Sequence, residues 1–156
     1  MKMLNVYLMR HAEAASIGGE VHRDKDRPLT PHGRLQVEAV AVALQKRAGT
    51  VSVIVSSPAL RAVQTAHFLA ERLSVTDIQT SLHLAPRGRA PLIDDLLKQP
   101  ESVRGIILIG HQPDLGLLAS HWSGHDVGFR TAALAAFEWE PGGAQATYRW
   151  TFSPDD

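Results

Sequence analysis

The chain has no cysteine among its 156 residues, which excludes disulfides and thiolate metal sites and suits a reducing cytoplasm. It has no net charge either, since 16 basic side chains balance 16 acidic ones. No overall field therefore draws it to nucleic acid or to an anionic membrane surface, and any selectivity for anions must be local. No apolar run approaches the ~18 residues of a membrane span. The N-terminus offers one lysine and then about seven apolar-leaning residues before Arg10, too few for a secretory signal. Linkers, repeats and low-complexity tracts are missing as well. With 44% apolar residues, residues 1–156 read as one domain around a single sizeable core, in a soluble cytoplasmic protein.

What is present alternates strand and helix. Met3 to Met9 is a nearly continuous apolar run of strand length, the pattern of a strand buried on both faces. A polar loop follows over residues 11–29. Thr30-Pro31 reads as an N-cap with proline at the first helical position, and Leu35, Val37, Val40, Ala41 and Leu44 give a helix ending near Gly49. Val51 to Val55 is the next strand. Ser57-Pro58 repeats the cap-plus-proline start of a helix carrying Leu60, Val63, Ala66, Phe68, Leu69 and Leu73. Asp77 to Thr80 is a short strand, Pro91 to Lys98 a short helix, Gly105 to Ile109 the clearest buried strand, and Leu115 to Trp122 a further helix. Such alternation predicts an α/β fold, a three-layer α/β/α sandwich on a mostly parallel sheet. Ala133 to Trp139 and Gln145 to Phe152, joined at Pro141-Gly142-Gly143, predict an antiparallel pair at one edge near the C-terminus.

Arg10-His11, Arg61 and His111 each fall just beyond the C-terminal end of a predicted parallel strand, where open α/β sheets place ligands. Two guanidiniums can grip phosphoryl oxygens through paired N–H donors. One imidazole, His11, can attack phosphorus while its other nitrogen donates to a backbone carbonyl. A second, His111, can donate to equatorial oxygens as charge builds, because Gly110 before it permits close backbone approach. The ordinary alternatives are a loop histidine at 11, surface ion pairs for the arginines and a turn histidine at 111. The convergence of three segments on one rim favours the phosphate chemistry.

Residues 6–13 (VYLMRHAE), 27–33 (RPLTPHG), 55–65 (VSSPALRAVQT) and 108–113 (LIGHQP) together resemble the histidine phosphatase, or phosphoglycerate mutase-like, superfamily. The small SixA-type phosphohistidine phosphatases look most similar, over roughly residues 3–152. The resemblance implies a phosphohistidine intermediate on His11, phosphate contacts from Arg10 and Arg61, transition-state contact from His111, and no metal or other cofactor. It also makes Arg27 a further phosphate-facing arginine, against the alternative of a solvated charge in the mixed run Arg23 to Asp26.

Two departures from the family pattern carry information. Arg-His-Gly is usual, whereas residue 12 is alanine, so this position must adopt a backbone conformation open to a Cβ. Larger relatives also place a glutamate after the second arginine's helix to protonate an alcohol, and Ser81 to Pro86 offers none. An alkoxide leaves poorly without a proton, general acid catalysis being worth ~10²–10⁴-fold. Imidazole titrates near neutrality and leaves more easily. A histidine-phosphorylated protein, a phosphotransfer domain or phosphocarrier, is thus the expected substrate, and a chain of this length has few residues for a lid over a small metabolite. A phosphatase or mutase for small phosphate esters is the enzymatic alternative and an inactive phosphoprotein-binding module the other.

Glu13 and His83 are the candidates for a substitute acid, with turn-capping or Arg10-orienting and loop roles as their alternatives. Arg87 and Arg89 read as a mobile polar loop or a contact for an acidic protein surface. His121 and His125 have zinc-like spacing without a third ligand and read as structural or surface residues. Asp94-Asp95 reads as a solvated face.

Overall fold

Apolar alternation along each strand builds both faces of one sheet. In β1 (Leu4–Arg10), Leu4, Val6 and Leu8 enter one core cluster, while Tyr7 and Met9 enter the other. The same split recurs in β4 (Gly105–Gly110), where Ile106 and Leu108 face one side and Ile107 and Ile109 the other. A strand with apolar side chains in both directions is stable only at the centre of a sheet covered on both faces. The computed structural model, which describes residues 3–47, 49–87 and 96–155, places β1 and β4 there.

The remaining elements are α1 (Pro31–Arg47), β2 (Val53–Ser56), α2 (Leu60–Leu73), β3 (Asp77–Thr80), α3 (Asp114–Ser123), β5 (Leu134–Trp139) and β6 (Ala146–Phe152). The sheet runs β3-β2-β4-β1-β5-β6. β1 to β4 are mutually parallel, and β5 and β6 add antiparallel pairings at the C-terminal side. Helices α1 and α2 cover one face through Val37, Val40, Leu44, Ala66 and Leu69. Helix α3 covers the other through Leu115, Leu118 and Trp122. This is the expected three-layer α/β/α arrangement, with the antiparallel pair where the sequence puts it.

Local chemistry sets the helix starts, with one surprise. Thr30 caps α1 as expected: its Oγ1 accepts the Gly33 N–H at 3.0 Å, and proline follows at the first helical position. Ser57 does not cap α2. That helix begins at Leu60 with Ala59 in the cap position, because the Ser57 side chain turns toward the sheet rim instead. Leu35, expected in the core, is 67% exposed, while its neighbour Gln36 is 2% exposed. The buried face is rotated because the Gln36 amide is fully engaged: its Oε1 accepts from the Glu13 N–H, and its Nε2 donates to Thr131 and Asp155. Polar partners of that quality make burial of the amide affordable.

Gly33 brings α1 close to the chain leaving β1. A Cβ there would run into the carbonyl oxygen of Glu13, so only glycine allows the first turn of α1 to press on the segment after His11. The short helix expected over Pro91 to Lys98 falls mainly on residues outside those described, as do Arg89 and Asp94-Asp95.

Candidate active site

Parallel pairing delivers the key segments to one rim. The backbone continues its ladder beyond β1, with His11 N–H donating to the Gly110 carbonyl at 3.1 Å and Ala132 N–H to the His11 carbonyl at 3.0 Å. At the end of β2, Ser57 N–H donates to the Ile109 carbonyl at 2.9 Å. Residues 11, 57 and 111 are thereby fixed to rigid neighbouring strand ends. Arg61 comes from the first turn of α2 and is buried there.

Ala12 meets its family departure without strain. It is fully buried, and the non-glycine residues with positive φ are Ser74, Arg87 and Ala132 among those described. Its N–H donates to Thr65 Oγ1 at 3.1 Å, and that hydroxyl donates in turn to the Arg61 carbonyl at 2.7 Å. Thr65 thus ties the backbone beside His11 to the turn that carries Arg61.

The four residues singled out from sequence, together with Arg27, line one cavity of about 390 Å³, with Glu13, Gln112 and Thr131 also on its wall. The His11 and His111 rings lie 5.1 Å apart at 54°. His11 Nδ1 donates to the Ala12 carbonyl at 2.8 Å, which leaves the Nε2 lone pair toward the cavity. Arg61 Nε–H approaches that nitrogen at 3.3 Å. The other end of Arg61 is gripped from outside: Nη1 donates to the Asp24 carbonyl at 2.9 Å and Nη2 to the Asp24 carboxylate at 3.1 Å. Arg10 Nη1 donates to the Phe129 carbonyl at 3.1 Å, whereas its buried Nε–H has no acceptor among the described residues.

Electrostatics keep both imidazoles neutral. Burial pushes the His11 pKa down to about 3, partly opposed by the hydrogen bond to the Ala12 carbonyl, with His111, Arg61 and Arg10 adding repulsion. The His111 pKa is likewise lowered to about 4, by burial first and then by Arg61, against the pull of Asp24. The Arg10 pKa is pushed down from the ordinary arginine value by burial, then by Arg61 and Arg27. Three guanidiniums crowded around neutral, lone-pair-bearing imidazole make a site for a multiply charged oxyanion.

The other candidates are placed as follows. Arg27 donates through Nε to the Ala15 carbonyl at 2.6 Å and through Nη1 to Asp24 at 3.1 Å. Glu13 does not orient Arg10; its carboxylate accepts from the Thr30 hydroxyl at 2.8 Å. His83 lies in a short 3-10 turn, Leu82–Leu84, and is not on the cavity wall. Arg87 is exposed, its backbone N–H donating to Asp114. His125 stacks on Tyr148 at 3.8 Å and His121 is exposed. Among the described residues, no group of three or more His, Asp or Glu side chains could hold a metal ion, and no helix is long and apolar enough to cross a membrane.

Sequence reasoning missed Asp24, Ser57 and Thr65. Asp24 sits in a run of alternating charges that reads as hydrated, and Ser57 in a dipeptide that reads as a cap. A usable signal existed for Ser57, which follows a parallel strand just as His11 and His111 do.

The profile of the histidine phosphatase superfamily (branch 1) matches residues 6–87, just over half of the chain. The chain belongs to this superfamily. It is 34% identical to an uncharacterised protein of Picosynechococcus, over 84% of this chain and 82% of that one. It is 28% identical to phosphohistidine phosphatase SixA of Escherichia coli, over 97% and 94% of the two chains. Among solved structures it is similar to the protein histidine phosphatase SixA complexed with tungstate, with a TM-score of 0.87 and 27% identity, covering 97% of this chain and 98% of that one. The superfamily membership and the full-length likeness support phosphatase activity.

Proposed function

We propose that this histidine phosphatase hydrolyses the P–N bond of a histidine-phosphorylated protein, through a covalent intermediate on His11 and without a metal ion. The observation that carries the chemistry is the His11 ring. Its Nδ1–H is spent on the Ala12 carbonyl, so Nε2 offers its lone pair beside Arg61. A phosphoryl oxygen entering the cavity takes over the Arg61 N–H donors, and the buried Arg10 Nε–H gains the acceptor that the described residues do not supply. Nε2 then attacks phosphorus as the bond to the substrate imidazole breaks, and that imidazole picks up a proton from solvent. Water attacks the phosphorus of phospho-His11 in the second step and returns His11 to its neutral form, releasing inorganic phosphate.

The choice of a P–N substrate is supported by the carboxylates around the cavity. Glu13 accepts from Thr30. Asp24 is partly desolvated, which works to raise its pKa, but hydrogen bonding to Arg27 and the charge of Arg61 outweigh this and keep it lowered and ionised. Among the described residues, Asp24 is therefore no ready proton donor for an alkoxide, whereas imidazole needs less help to leave. The full-length likeness to SixA, a phosphohistidine phosphatase by name, supports the same substrate class.

The test mixes the protein, in EDTA, with a histidine-phosphorylated phosphotransfer domain and separately with a panel of small phosphate esters, comparing wild type with His11→Ala. Rapid His11-dependent release from the protein alone is expected. Turnover of an ester alone would move the enzyme to small-molecule metabolism, and silence on both would point to a phosphoprotein-binding module.

A further inference from the structure

Deepening the phosphoryl-transfer reading, on which it rests, we propose that Ser57 is a positioning residue that fixes the tautomer of His111, holding its proton on Nδ1 toward the phosphate cavity. Ser57 is fully buried, and its Oγ has two partners: it accepts the Ala59 N–H at 3.2 Å and lies 2.7 Å from His111 Nε2. A serine hydroxyl has one hydrogen to give. If His111 carried its proton on Nε2, Ser57 would accept twice, and its own hydrogen would be buried without an acceptor, an arrangement folded proteins avoid. If Ser57 donates to Nε2, every group in the triangle of Ala59, Ser57 and His111 is satisfied.

The consequence appears on the other side of the ring. His111 Nδ1 lies 3.4 Å from Arg61 Nη2, and with Nδ1 protonated both atoms are donors. Two donors converging on the cavity wall bracket a position for one anionic oxygen, which each can reach. Because burial depresses the basicity of His111, the ring carries a single proton at neutral pH. It can donate to a phosphoryl oxygen only if that proton sits on the correct nitrogen. Ser57 supplies this selection through a residue that itself need not touch substrate.

Nitrogen-15 histidine NMR of the free protein reads the tautomer directly, with the His111 resonances identified by their loss in His111→Gln. The expected result is a protonated Nδ1 and an unprotonated Nε2; the reverse would overturn the proposal, whether or not Ser57→Ala folds. In Ser57→Ala, Arg61 should donate to Nδ1 and the proton should move to Nε2. The affinity for vanadate, a probe of the five-coordinate geometry, should then fall roughly tenfold or more. Ser57→Thr, which keeps the hydroxyl, should restore the Nδ1 tautomer. Vanadate affinity within twofold of wild type in folded Ser57→Ala would count against the role. None of these readouts uses a phosphorylated protein, so failure of the substrate assignment is distinguishable from failure here.

Discussion

Asp24 holds Arg61 by two groups at once, its backbone carbonyl at 2.9 Å and its carboxylate at 3.1 Å, while the second carboxylate oxygen takes Arg27 at 3.1 Å. Two outward N–H groups of Arg61 are thereby occupied, while Nε–H and the inner Nη2–H face the His11 and His111 rings. One half-exposed carboxylate holds two arginines that line the cavity.

Removing that carboxylate separates charge from alignment. Asp24→Ala makes the cavity more positive, which by Coulomb attraction alone would tighten phosphate binding. Loss of alignment predicts instead that kcat falls about tenfold, with inorganic phosphate bound no more weakly than by wild type. Steady-state kinetics and phosphate inhibition measured together check this; an unchanged kcat would show that Arg61 needs no external hold.

Arg61→Lys preserves charge but cannot serve His11, His111 and Asp24 at the same time, because an ammonium is a compact point donor and lacks the planar fork. A loss of about 10²-fold or more in kcat is expected, on the scale of removing one oxyanion donor. Activity within a few-fold of wild type would mean that Arg61 does not grip the transferring group.

The depressed histidine pKa values make two pH predictions. The proposed attack needs His11 neutral, and its pKa is lowered to about 3, so the acidic limb of kcat/KM from this group should fall far below pH 6.5, the ordinary histidine value. Stability moves the other way with acid. Both histidines bind protons more readily unfolded, near 6.5, than folded, near 3 and 4, so stability is full above about pH 6.5 and is lost as pH falls toward 4. Each contributes a slope of about 1.4 kcal/mol per pH unit inside that window. Denaturant titrations between pH 6.5 and 4.5 should show His11→Gln with a shallower dependence than wild type; identical slopes would contradict burial of an uncharged ring.

Gly33→Ala tests the contact between α1 and the chain leaving β1. The added Cβ would run into the Glu13 backbone, its carbonyl oxygen first, and a backbone atom cannot swing aside as a flexible side chain would. Destabilisation of about 1–3 kcal/mol is expected, with a loss of activity because the displaced segment adjoins His11. Chemical denaturation and turnover of the same variant check both.

Much of this was legible in the chain because the strongest signals are one-dimensional. Val6 to Met9 and Ile106 to Ile109 are continuous apolar runs, and a run of that length without polar alternation places a strand at the centre of a covered sheet. Arg10, His11, Arg61 and His111 were legible because each ends or follows a parallel strand or lies in the first turn of the helix after one. What was hidden depends on side chains meeting across the sequence. Burial of Gln36 depends on Glu13, Thr131 and Asp155, which lie far from it in sequence and surround it only in the fold. Asp24 reads as one charge in a hydrated run until Arg61 arrives from 37 residues away. Ser57 reads as a cap because serine before proline so often is one, and here the hydroxyl is drawn instead to an imidazole 54 residues further on.

The most direct test of the account traps the intermediate. A phosphotransfer domain labelled with phosphorus-32 on its histidine is mixed with the enzyme in EDTA, quenched within milliseconds under alkaline conditions that preserve phosphohistidine, and the label is followed by mass-resolved peptide mapping. The account predicts transient label on the peptide containing His11 in wild type, none in His11→Ala, and release of phosphate as that label decays. Phosphate release with no label ever passing through His11, or equal release by His11→Ala, would contradict it.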